Sequence, residues 1–97
     1  MEKGEREGMT FQIKNRSRYR ILYDMLTTAN PSAKKTHMMY RSNLSFDQLA
    51  IYLNFLLQRG LVKKTQNEFN EWVYSITESG KKYVEKFDSL SSLVGSE

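Results

Sequence analysis

The stretch NLSFDQLAIYLNFLLQRGLVKKTQ, residues 43–66, decides how this chain folds. Leu49, Leu53, Leu56 and Leu57 recur at helical spacing and line one face of a rod. Ser45 and Gln48, just ahead of them, have the spacing of a capping box. In that motif each side chain satisfies a backbone N–H that the first helical turn leaves unpaired. Gly60 ends the rod, where the backbone commonly turns left-handed. Beyond it the apolar period drops to two. LVKKTQ (61–66) and EWVYSI (71–76) alternate, are rich in β-branched and aromatic residues, and flank the turn-forming NEFN. A capped helix followed at once by a hairpin from Leu61 to Ile76 is the expectation.

Upstream, residues 15–29 read as a first helix. Asn15 or Ser17 can cap it, and Tyr19, Leu22, Met25, Leu26 and Ala29 form its apolar stripe. Asn30-Pro31 ends it, since proline disfavours helix in the residue before it. Residues 34–42 read as a two-turn helix whose apolar members are Met38, Met39 and Tyr40, and Asn43 tolerates the left-handed turn that follows. Downstream, Thr77 caps a last helix, with Glu78 placed to favour its dipole. Tyr83, Val84, Phe87, Leu90 and Val94 form the stripe of that helix. The expected organisation is an arm over 1–14 with little to bury, one domain over 15–90, and a tail over 91–97 that frays. Short helix, tight turn, capped helix and hairpin make the fold α+β, mostly α: a winged helix-turn-helix of three helices, a β-hairpin wing and a C-terminal helix.

Composition narrows the function. The chain has 97 residues, no cysteine and one histidine, His37, so thiol chemistry, cysteine-ligated zinc and any two-imidazole site are excluded. There is no phosphate-cradling glycine loop and no paired carboxylates in an apolar setting. The expectation is a binding protein with no cofactor and no metal, not an enzyme. No apolar run approaches the ~18 residues of a membrane span. MEKGEREGMT lacks the apolar core of a secretion signal, so the expected location is cytoplasmic. Net charge is +4, spread unevenly: Lys14 to Arg41 holds seven basic residues and one acid, Asp24. Such an excess attracts polyanions.

Double-stranded DNA is the partner this pattern suits best. The second helix of a helix-turn-helix enters the major groove with its N-terminal residues near base edges. That role falls to Ser45 through about Arg59, whose outward face carries Asp47, Gln48, Ile51, Asn54, Phe55 and Gln58. Ser45 is a cap that can also reach a phosphate, Asp47 sits near phosphates, and Ile51 and Phe55 admit three roles: meeting thymine methyls, packing under the wing or forming a subunit contact. Gln48 admits two roles, the capping box or an adenine edge. The face has no basic residue before Arg59, which argues for modest base specificity or readout of shape. Arg16, Arg18 and Arg20 crowd a helix start where positive charge opposes the dipole, which suits either phosphate contacts, by Arg16 and Arg18 above all, or a solvated charged end; Lys34, Lys35 and Thr36 offer further backbone contacts. Arg41 beside the turn and Lys63 and Lys64 on the wing complete the set, with Glu68 and Glu71 nearby opposing it. Trp72, Tyr74 and Tyr83 suit core or wing packing better than stacking on single strands. The exposed apolar pair Ile51 and Phe55 keeps a second possibility open, a winged helix that binds another protein instead of DNA.

The residues also carry a resemblance. Lys35, Thr36, Met39 and Tyr40, then Asn43, Leu44 and Ser45, then Gly60 and Leu61, then Thr77 and Gly80, resemble the pattern of an archaeal winged-helix family. That family includes ten-kilodalton chromatin-associated DNA-binding proteins (the Sso-ten-a group) and related predicted transcriptional regulators. The match covers about residues 17–88. It implies a transcriptional regulator or nucleoid-associated protein that forms a homodimer through the C-terminal helix, here through Tyr83, Phe87, Leu90 and Val94. The last helix holds only about two heptads, fewer than a coiled coil usually shows.

Overall fold

The computed structural model describes residues 16–95; the arm over 1–14 and the alternative cap Asn15 lie outside them. The elements run α1 (Arg18–Thr28), β1 (Ser32–Ala33), α2 (Lys35–Arg41), α3 (Phe46–Gln58), β2 (Val62–Gln66), β3 (Trp72–Ile76) and α4 (Glu78–Val94). Ser17 caps α1 through its hydroxyl, which accepts from the Arg20 N–H. Ser45 and Gln48 form the capping box with both arms made. Asn43 takes φ 55° at the turn between α2 and α3, and Gly60 takes φ 70° after α3. A left-handed backbone disfavours a side chain at Gly60 even though space around it is open.

The sheet has one strand more than the hairpin that the sequence predicts. Its strand order is β1-β3-β2, all antiparallel, so β3 is the central strand and not the outer strand of a two-stranded wing. Ser32 pairs with Ser75 and Ala33 with Tyr74, just after the cis Asn30–Pro31 peptide. The Ile76 N–H donates to the Ala29 carbonyl at 3.0 Å, which continues the seam into the end of α1.

Met25, Leu26, Met38 and Leu56 are the largest fully buried side chains, and Leu22, Leu49, Leu53, Val62, Tyr74 and Ile76 surround them. Each such side chain contributes about 1.5–3 kcal/mol by leaving water. The core therefore sits where α1, α2 and α3 meet the inner face of the sheet. Two expected core members lie outside it: Tyr19 and Tyr40 are exposed, and Ile21 is buried on α1 in place of Tyr19. Tyr19 heads the helix where nothing covers its ring, and Ile21 lies two residues on, toward the core.

α4 continues to Val94, past the serine-rich positions where the sequence predicts fraying. It is held on α1 by aromatic contacts. Tyr23 and Phe87 stack with centroids 4.4 Å apart, and the Tyr23 hydroxyl donates to Asp88 at 2.7 Å. The Tyr83 hydroxyl donates to the Tyr19 carbonyl at 2.8 Å, and burial pushes its pKa up to about 12.

The joint before α4 is tight. The Thr77 hydroxyl donates to the Gly60 carbonyl at 2.6 Å and accepts from the Gly80 N–H at 3.1 Å. The Thr77 N–H donates to the Leu61 carbonyl at 3.1 Å. Both ends of the hairpin are thus stapled to each other, and Gly80 presses against the staple.

Candidate nucleic-acid interface

The first residue of α2 and the wing build one cationic niche. Lys34, Lys35, Thr36, Lys64, Trp72 and Tyr74 line a cavity of about 330 Å³. β2 and β3 bring Lys64 opposite Tyr74, and the Lys64 ammonium lies 4.6 Å from the centre of the Trp72 ring. A cation over an indole face is favourable and fixes where the charge sits. Side chains alternate along a strand, so Lys63 projects to the other face of the sheet from Lys64. The two adjacent wing lysines are therefore split between the faces, and Lys64 is the one that joins Lys34 and Lys35.

Lys34 has a partner of its own. Its ammonium meets the Glu71 carboxylate at 2.7 Å, and the other carboxylate oxygen accepts from the Asn67 amide at 3.1 Å. These two hydrogen bonds, Lys34 first, hold the Glu71 carboxyl below its ordinary pKa. Asn67 also organises the wing loop, its Oδ1 accepting from the N–H groups of Phe69 and Glu71.

Arg16 plays a different part from the one expected of it. Its guanidinium pairs with Asp24 at 2.6 Å and donates to the Ser42 carbonyl. It thus ties the start of α1 to the turn between α2 and α3, with both terminal guanidinium nitrogens engaged inside the chain. Arg20 shares Asp24 at 3.1 Å. Arg18 lies at the opening of a groove of about 580 Å³ between α1 and α3, lined also by Tyr19, Leu22, Gln48, Ile51, Tyr52 and Phe55. Arg41 is exposed at the end of α2, beside the turn.

The outward face of α3 is open. Ser45, Asp47, Gln48, Asn54 and Gln58 are exposed, Ile51 is 68% exposed and Phe55 38%. Phe46 is also exposed, which the helical spacing did not single out because it lies in the first turn beside the cap. Gln48 spends its carbonyl oxygen on the Ser45 N–H. A bidentate adenine contact uses both the oxygen and the amide donor, so adenine readout by Gln48 would have to share the oxygen that already caps α3, through its second lone pair. Arg59 stacks on Phe55 at 5.0 Å and brings the first positive charge on this helix to its far end. Among the described residues no group of three or more metal-ligating side chains is assembled, and no helix is long and apolar enough to cross a membrane.

Fold, niche and open helix face together define a winged helix-turn-helix protein. The sequence profile of that family matches residues 15–94, and the chain belongs to it. Two proteins of Methanocaldococcus jannaschii, both described as uncharacterized, are relatives. MJ0287 is 28% identical over 82 residues, covering 84% of this chain and 79% of its own length. MJ0290 is 26% identical over 91 residues, covering 93% of this chain but only 41% of its own length. The fold is shared with Sso10a-2, a DNA-binding protein from Sulfolobus solfataricus, at TM-score 0.72 and 22% identity, over 80% of this chain and 81% of that one. It is shared too with the transcriptional regulator BldR from Sulfolobus solfataricus, at TM-score 0.66 and 18% identity, over 86% of this chain and 61% of that one.

Proposed function

We propose that the chain binds double-stranded DNA, as a transcriptional regulator or a nucleoid-associated protein of the cytoplasm, and catalyses no reaction. The observation that carries this reading is the convergence of Lys34, Lys35 and Lys64, from separate parts of the chain, on one niche beside the wing. In this arrangement α3 enters the major groove. Ser45, Asp47, Gln48 and Ile51 lie near the base edges. Lys34, Lys35, Thr36 and Lys64, with Arg41 and Arg18 flanking, meet the phosphates. Arg16 and Lys63 fall outside the contact set, the one spent on Asp24 and Ser42, the other on the far face of the sheet. The neutral face of α3, with Asp47 at its start, supports weak direct readout and a large share of sequence-independent affinity. Sso10a-2 and BldR, described as a DNA-binding protein and a transcriptional regulator, support the reading at the level of shared fold.

Three to five phosphate contacts per chain give a slope of log affinity against log salt of about −3 to −4.5. Gel shifts with random and genomic duplexes over a salt series test this. A slope near zero, or no complex at low salt, would overturn the proposal. That result would favour a second reading, a protein-binding winged helix, which rests on the exposed Phe46, Ile51 and Phe55 beside the α1–α3 groove.

Pairing of two copies through α4 completes the proposal. Tyr83 and Phe87 are already engaged with α1 inside the chain. The exposed ridge is Leu90, Leu93 and Val94, next to a groove of about 460 Å³ shared with Tyr19. Light scattering should give twice the chain mass, and Leu90→Glu with Val94→Glu should halve it. A wild-type chain that stays monomeric at high concentration sinks the pairing and leaves the DNA-binding proposal standing.

A further inference from the structure

We propose that Glu71 stands in for a DNA phosphate in the free protein: its carboxylate occupies the Lys34 ammonium and is displaced when duplex binds. This rests on the DNA-binding reading and assigns to that interface a built-in competitor.

Three features of the wing point to it. First, Glu71 is held at both carboxylate oxygens, by Lys34 at 2.7 Å on one side and by Asn67 at 3.1 Å on the other. Second, its backbone is pinned as well: its N–H donates to Asn67 Oδ1 at 3.0 Å, and its carbonyl accepts from the Asn67 N–H at 3.0 Å. The carboxylate is thus aimed at the niche by the wing loop and does not reach Lys34 by chance from a long free stem. Third, Lys34 is one of three ammoniums lining that niche, and Glu71 is the acid paired with any of them among the described residues. The pair is half-exposed, with side-chain accessibilities of 50% and 44%, so water and a phosphate can reach it.

The chemistry of the exchange is simple. A carboxylate and a phosphate diester oxygen are both anionic acceptors for an ammonium, and Lys34 cannot serve both at full strength. Duplex arrival therefore trades one ion pair for another. The net gain at Lys34 is smaller than at Lys35 or Lys64, and the freed carboxylate repels the incoming strand. Exchange also loosens the link between the wing loop and the start of α2.

Glu71→Gln tests the idea while keeping an oxygen to accept from Asn67. An exposed ion pair is worth up to about 1 kcal/mol. The variant should therefore bind duplex up to about fivefold more tightly at moderate salt. The slope of log affinity against log salt should steepen by up to about 0.9, because no freed carboxylate then takes up a cation to offset the one released from the phosphate at Lys34. Glu68→Gln, which removes the same charge from the same loop at a residue without a partner among the described residues, is the control. It should raise affinity less and leave the slope unchanged. Equal shifts in the two variants would show a general charge effect and overturn the proposal. So would a Glu71→Gln chain that melts at the wild-type temperature yet binds no more tightly. Absence of duplex binding by wild type and Glu71→Gln alike would overturn the DNA-binding reading along with it, a pattern distinct from equal binding by both.

Discussion

Gly80→Ala should lower the midpoint of thermal unfolding by roughly 5–20 °C. A methyl group built at Gly80 would lie 2.3 Å from the Leu61 carbonyl oxygen, 2.6 Å from Ile76 Cγ1 and 3.3 Å from Leu26 Cδ2. Ile76 Cγ1 can shift, at the expense of its packing. The carbonyl cannot move freely, because it accepts the Thr77 N–H at 3.1 Å, and Thr77 caps the same helix through Gly80. Relief must therefore slide α4 off the hairpin or open the joint. Overpacking of this kind costs about 1–3 kcal/mol. Against it stands the better helix propensity of alanine, worth at most about 1 kcal/mol and less in a first turn. The steric term wins. Scanning calorimetry decides the matter, and an unchanged or higher midpoint would show that the close approach is absent in solution.

The second large effect concerns the niche. Replacing Lys34, Lys35 and Lys64 together by glutamine should weaken binding about a hundredfold, for all duplex sequences alike. This takes about 1 kcal/mol per contact, between an exposed ion pair and a charge-assisted hydrogen bond. The salt slope should flatten by about 2.7, three phosphates at 0.9 each. None of the three side chains is part of the core, so the fold should survive. Fluorescence anisotropy with several unrelated duplexes provides the readout. A loss confined to one sequence would mean that these lysines read bases and not backbone.

How much of this was legible in the sequence depended on how local each signal is. The capping box of Ser45 and Gln48, the left-handed Asn43 and Gly60, and the leucine stripe of α3 each need only a few neighbouring residues, and the structure shows all of them. The family resemblance on Lys35 to Ser45 and Thr77 to Gly80 likewise led to a family whose profile spans residues 15–94. Long-range features escaped. β1 is two residues, too short for any alternation to register, and exists only because β3 comes back to pair with it. Arg16 reads as a phosphate ligand until Asp24, eight residues on, and Ser42, 26 residues on, fold against it. Lys63 and Lys64 are neighbours in sequence and are separated by the pleat. Glu71 reads as a charge that opposes binding, and its place on Lys34 follows only from the contact of the wing loop with the start of α2. Likewise Tyr83 and Phe87, which the resemblance offers to a second copy, are engaged with α1 of the same chain.

The short strand β1 has a mechanical consequence. In a hairpin with two open edges, the tip swings about its base and samples many approach angles. Here the central strand is laced on one side to the segment that feeds directly into α2, so twisting the hairpin also turns the helix ahead of the reading rod. Such lacing favours a bracket of wing and rod over two arms that move separately. On a duplex that accepts the rod, the reach of the tip is set in advance. Fit at the neighbouring groove then depends on how the nucleic acid bends toward the bracket.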